Sequence, residues 1–166
     1  MKKVSAMINY AGESVEFSGC PSCAFSNHEF KLPCGMAFEN EQFTVSQDWE
    51  LPIEGFFIVC PKARHVEQLS ELSSKERFEM FELVNRTIEI LKKHNVCKEF
   101  NIVLEEKKGV HLHVWVMPRH DWMIEKFGKV LANTKNIFDY AKQNLRTEQT
   151  FSKINKITKI LQKELK

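Results

Sequence analysis

His111-Leu112-His113-Val114-Trp115-Val116-Met117-Pro118-Arg119-His120 is the stretch on which the reading of this chain turns. It alternates by residue. On an extended strand, His111, His113 and Trp115 share one side, and Leu112, Val114 and Val116 share the other. At roughly 3.3 Å rise per residue the two histidine Cα atoms stand about 6.5–7 Å apart. Both imidazoles therefore enter one site while the aliphatic side serves a core. Pro118 closes the strand, which we place at Val110 to Met117.

Working outward, Phe100 to Glu105 is a second apolar, β-branched run. Met36 to Glu39, Gln42 to Gln47 and Gly55 to Cys60 read as three shorter strands, with Pro52 and Gly55 around a turn and Pro61 as a stop. A helix lies between. Ser73 and Glu76 have capping-box spacing, and Lys92, Lys93 and His94 sit where a helix dipole favours positive charge. Phe78, Phe81, Val84, Ile88 and Leu91 recur along one face of it. Past Pro118 the pattern is helical. Phe127, Val130, Leu131, Phe138, Ala141 and Leu145 form one face, broken near Asn133. Phe151, Ile154, Ile157, Leu161 and Leu165 form another, with a Lys-rich solvated side.

Composition narrows the function. A chain of 166 residues is one domain by default. Its 43% hydrophobic and 28% charged residues argue against disorder. Lys plus Arg number 24 and Asp plus Glu 22, a net +2, too small an excess for a dedicated nucleic-acid binder. No apolar run is long enough to span a membrane. Met1-Lys2-Lys3 is basic, but Asn9, Glu13 and Glu16 deny it a signal-peptide core, so a cytoplasmic location is expected. Cysteines number five, an odd count that speaks against a disulfide framework and for metal binding or burial. Cys60, in the run Phe56-Phe57-Ile58-Val59-Cys60, reads as core.

Cys20-Pro21-Ser22-Cys23 is a zinc-type pair, because two thiolates at this spacing can grip one ion. Zinc needs two further ligands. Local candidates are His28 and Cys34, which would make a small knuckle. Distant candidates are His65 and one histidine of the His-x-His strand. His65 closes Pro61-Lys62-Ala63-Arg64-His65, where Lys62 and Arg64 are candidate phosphate contacts.

The order of these motifs resembles the histidine-triad (HIT) superfamily over roughly residues 18 to 120. The resemblance implies an α+β fold: an antiparallel sheet of about five strands with a packed helix, in a HIT-like domain at 1–121. Residues 122–166 would be a C-terminal helical extension. It implies zinc held structurally by Cys20, Cys23, His65 and His111, and His113 as nucleophile on the α-phosphorus of a nucleotide. A neutral imidazole nitrogen can attack there, and covalent transfer splits one displacement into two easier ones. Four protein ligands leave zinc no open position, so it would pin the strand rather than act as Lewis acid.

The sequence also departs from the family. Trp115 stands where the third histidine is usual, and an indole N–H donates but cannot shuttle a proton. His120 is the candidate to supply acid chemistry instead. Lys108 and Gly109 occupy the phosphate loop, with a poor match. Asn101 is a candidate phosphate contact and Asp48 a candidate ribose contact. Phe38 and Phe43 are candidates to sandwich the base. The expected function is a nucleotide hydrolase acting on a phosphoramidate, dinucleoside polyphosphate or nucleotidyl ester. The alternatives are a nucleotidyltransferase and a catalytically weak nucleotide-binding zinc module. A homodimer is expected from the resemblance.

Overall fold

We describe a computed structural model of the chain, which covers residues 4–166. The predicted class holds: five antiparallel strands with helices around them. An N-terminal hairpin, β1 (Val4–Ile8) and β2 (Ser14–Ser18), precedes a short helix α1 (Pro21–Ser26). The main sheet uses β3 (Phe38–Glu39), β4 (Phe43–Gln47), β5 (Phe57–Pro61), β6 (Phe100–Leu104) and β7 (Val114–Pro118), in the order β3-β4-β5-β7-β6. Helix α2 (Ser74–Lys93) crosses from β5 toward β6. Helices α3 (Asp121–Phe127), α4 (Thr134–Asn144) and α5 (Glu148–Glu164) close the chain. A short 3-10 turn at Leu131–Asn133 supplies the break expected near Asn133.

The alternation of the strands sorts their side chains onto two faces. Phe57, Val59, Val114 and Val116 meet Val84, Leu91 and α5's Ile157 and Leu161 in one core. Ile58, Cys60 and Trp115 meet Tyr10, Phe25, Phe30 and Trp49 on the other. A third cluster joins Leu51, Ile53, Phe56 and Met117 to Met123, Ile137 and Ala141 of α3 and α4. Cys60 is buried as expected. The histidine strand is shorter than predicted: β7 begins at Val114, and residues 111–113 run into it as irregular chain.

Helix α2 starts with its predicted capping box, Ser73 Oγ accepting from the Glu76 N–H at 3.2 Å and Glu76 Oε2 from the Ser73 N–H at 2.7 Å. Its buried stripe differs from the predicted one. Met80, Leu83, Val84, Thr87, Ile90 and Leu91 face the core, while Phe78 is 74% and Phe81 42% exposed. Two overlapping stripes at a 3.6 period share Val84 and Leu91, and Thr87 disguised the one that packs. The sequence reading also passed over the hairpin and α1. Gly55 is required at its turn: its φ is +80°, and a Cβ there would come within 2.7 Å of Val96.

Candidate active site and metal centre

Four sequence-predicted ligands, 91 residues apart at the extremes, converge. Cys20 is the N-cap of α1 and Cys23 lies one turn in, so the helix start presents both sulfurs together. His65 leaves β5 and His111 enters β7. The Leu112 N–H donates to the Val66 carbonyl at 2.6 Å, and this bond holds the two histidine segments side by side. His111 Nδ1 lies 3.6 Å from Cys20 Sγ and 3.4 Å from Cys23 Sγ, and His65 Nδ1 lies 3.4 Å from Cys23 Sγ. All four candidate ligand atoms fall within 4.8 Å of one another.

This spacing fits an ion. A tetrahedral zinc with bonds of about 2.0–2.3 Å puts its ligand atoms about 3.3–3.8 Å apart. Two sulfurs and two imidazoles are also the donor set zinc prefers. Burial, and then the neighbouring His65, pushes His111 down to about 4, so the ring stays neutral and keeps a lone pair to donate. Burial and the adjacent Cys20 push the Cys23 thiol up to about 11, so a metal that binds here displaces a proton. The local alternative is not assembled. His28 pairs with Glu39 at 3.1 Å, and the Cys34 N–H donates to the Tyr10 hydroxyl.

His113 sits beside this cluster. Its Nδ1 is 2.9 Å from the His111 carbonyl oxygen. A carbonyl only accepts, so Nδ1 carries the proton and Nε2 keeps its lone pair. The ring lies 5.7 Å from that of Trp115, which is itself held edge-on by Phe56 and Phe138 at 5.7 Å each. A cavity of about 380 Å³ opens here, lined by His111, His113, Trp115, Gly109, Asp48, Trp49, Ile58, Cys20 and Ser22. Met7 and Phe17 of the hairpin and Glu50 are also part of its wall.

Asp48 is 7% exposed. Its Oδ1 accepts from the Glu50 and Leu51 N–H groups at 3.0 and 2.9 Å. Desolvation outweighs these bonds and pushes the carboxyl up to about 6.

The remaining candidates lie elsewhere. His120 caps α3, with Nε2 2.8 Å from the Glu54 carbonyl, and lines a separate hollow with Arg119 and Lys98. Asn101 is on β6 opposite Met117, and its Nδ2 is buried without a partner among the described residues. Lys108 is exposed, in the same turn as Gly109. Phe38 and Phe43 belong to the α2-side core. Arg64 is tied to Glu76 at 2.5 Å and Lys62 to Glu39 at 2.5 Å. The hairpin wall was missed, although Ser14-Val15-Glu16-Phe17-Ser18 alternates and Asn9 to Gly12 is turn-forming.

Two histidines leading into a strand of an antiparallel sheet, with a Cys/His cluster beside them, define a class of small α+β proteins. The chain belongs to the HIT domain family, whose profile matches residues 29–122. That segment contains His65, His111 and His113 but neither cysteine of the cluster. An uncharacterised HIT-like protein of Methanocaldococcus jannaschii is 28% identical over 118 residues, covering 67% of this chain and 88% of the relative. A Zn-bound histidine triad family protein from Mycobacterium smegmatis shares the fold with a TM-score of 0.59 at 17% identity, over 87% of this chain and 96% of the other. The C. elegans NitFhit protein gives a TM-score of 0.51 at 20% identity over 76% of this chain, which spans only 28% of that larger protein. No described helix is long and apolar enough to cross a membrane.

Proposed function

We propose that the protein is a nucleotide hydrolase that cleaves at the α-phosphate of a nucleotide conjugate through a nucleotidyl-His113 intermediate. The observation that carries this reading is the His111 carbonyl on His113 Nδ1, which leaves the Nε2 lone pair free beside a cavity that Asp48 also lines. Nε2 attacks the α-phosphorus, a P–N bond forms, and the bond to the leaving group breaks with its electron pair on that group. Water then attacks the same phosphorus and gives up one proton to solvent, the P–N bond breaks, and Nε2 recovers its lone pair as the nucleoside monophosphate leaves. Asp48 accepts hydrogen bonds from the ribose hydroxyls, and Gly109 gives its side of the cavity room for phosphate.

Cys20, Cys23, His65 and His111 hold a structural zinc in this reading. Its contribution is mechanical: it ties the start of α1 to the residues on which His113 depends. The unit 1–121 carries the chemistry, and 122–166 is an extension whose α5 packs mainly in the α2-side core while α3 and α4 close a third cluster around Phe56 and Met117. The protein acts as a homodimer, supported by the unpaired β6 edge with Ile102 53% exposed and by the outward Phe78 and Phe81.

One observation favours a second reading. Trp115, wedged between Phe56 and Phe138, takes the third-histidine place and brings no proton relay. A nucleotide-binding module with weak turnover would tolerate it.

The test is intact mass spectrometry after mixing with adenosine 5′-phosphoramidate, diadenosine tetraphosphate and an adenylyl ester, alongside a turnover assay. An acid-labile nucleotidyl adduct with turnover, both lost in His113→Ala, is the expected result. Affinity without adduct or turnover across the panel would establish the binding module. Elemental mass spectrometry should find about one zinc per chain. That zinc should be lost in His111→Ala and kept in Cys34→Ala.

A further inference from the structure

The two imidazoles of the Cys/His cluster are supported differently. His111 has its far nitrogen, Nε2, buried with no side-chain partner among the described residues, and the Pro61 backbone is its neighbour instead. His65 has a side-chain partner. One edge of its ring faces Cys23 Sγ through Nδ1 at 3.4 Å, and the other faces Glu67 Oε1 through Nε2, also at 3.4 Å.

Glu67 is itself held in place. Glu71 Oε1 accepts from the backbone N–H of Glu67 at 2.9 Å and of Gln68 at 2.8 Å. The preceding carbonyl, that of Val66, takes the Leu112 N–H, so the chain on both sides of Glu67 is fixed. The Glu67 carboxylate also lies beside the Gly109 backbone, with Lys108 nearby. Gly109 lines the cavity that holds His113. Its φ of +79° is the left-handed conformation that lets the chain turn sharply there.

We propose that Glu67 is the positioning residue of the metal centre. It takes the Nε2–H of His65, fixes the tautomer that offers the Nδ1 lone pair to the ion, and links that ligand to the Gly109 turn of the active site. The inference rests on the metal reading of Cys20, Cys23, His65 and His111. A carboxylate behind a ligating imidazole orients the ring and raises its basicity, and its loss usually weakens a metal site roughly 10–100-fold.

Zinc affinity is measured by competition with a chromophoric chelator for the full-length wild type, Glu67→Ala, Glu67→Gln and His65→Ala. The Co(II)-loaded spectra and the melting of the zinc-free proteins are recorded in parallel. Glu67→Ala should weaken zinc roughly 10–100-fold and shift the Co(II) ligand-field bands. Glu67→Gln, whose amide oxygen still accepts, should fall between Ala and wild type. The zinc-free proteins should melt together. Wild-type zinc affinity in Glu67→Ala, with zinc lost in His65→Ala, overturns the role of Glu67 and leaves the metal centre standing. A zinc-free Glu67→Ala protein that melts well below zinc-free wild type also overturns it, because Glu67 would then be scaffold. Wild-type affinity in His65→Ala, or no zinc in the wild type, removes the metal centre and this inference together.

Discussion

Asp48 shows what a single buried carboxyl costs and what it does in return. Its pKa rises from 3.8 to about 6 because desolvation exceeds the help of two backbone N–H groups. The folded protein therefore holds this proton to higher pH than the unfolded chain does. Stability contributed by the group is full below about pH 4, falls as pH rises from about 4 to about 6, and stays lost above that. Asn at this position keeps the Oδ1 acceptor and has nothing to ionise. Asp48→Asn should raise stability by about 1–3 kcal/mol at pH 7 and by nothing at pH 4. Denaturant melts across that range would measure it. The same variant should raise KM for a nucleotide substrate, since a carboxylate accepts from two ribose hydroxyls better than an amide does. His113 and Asp48 both line the cavity, and each was singled out by a local pattern: a two-residue histidine spacing just ahead of a strand and an acid just past one. His120 was equally visible, yet Pro118 and the start of α3 carry it to Glu54 and away from the cavity.

Among the elements, α2 and the N-terminal hairpin mark where pattern stops being sufficient. The existence, start and end of α2 were readable from Ser73, Glu76 and the terminal lysines. Its inward face was not, because two apolar stripes of equal period compete and only the sheet decides between them. The contrast is measurable. Leu91, fully buried, should cost about 2–5 kcal/mol as Leu91→Ala. Phe78→Ala, at a site 74% exposed, should stay within about 0.5 kcal/mol in the isolated chain. Equilibrium urea unfolding of both variants distinguishes the packed face from the free one. The hairpin lay beyond reach for another reason. Its inward residues, Met7 and Phe17, gain meaning only from the cavity they border, and that neighbourhood is created by contacts distant in sequence, such as the Tyr10 N–H to the Trp49 carbonyl at 2.7 Å. The metal cluster combines both cases. The Cys-x-x-Cys and His-x-His halves were each evident from local spacing; His65, rather than His28 and Cys34, came from the family resemblance, and the fold brings it to the cluster.

For the whole molecule, the sheet is covered on both faces, and α5 reaches two of the clusters through Ile154 and through Ile157, Leu161 and Leu165. The far end of α5 is clamped to the end of α2, where Glu164 meets Lys93 at 2.8 Å and His94 at 2.7 Å. Among the exposed apolar surfaces of the described residues are the outer side of α2 and the β6 edge. If these form the proposed dimer surface, Phe78→Ser combined with Ile102→Lys should shift sedimentation from dimer to monomer without loss of the folded circular-dichroism signal. An unchanged dimer would place the contact elsewhere. The arrangement of aromatic rings has one more consequence. Of the three tryptophans, Trp49 and Trp115 line the cavity, while Trp122 stacks against Tyr140 in another cluster. An incoming purine or pyrimidine would meet two of the chain's three strongest ultraviolet emitters, so the molecule carries its own optical gauge of occupancy, readable without a label.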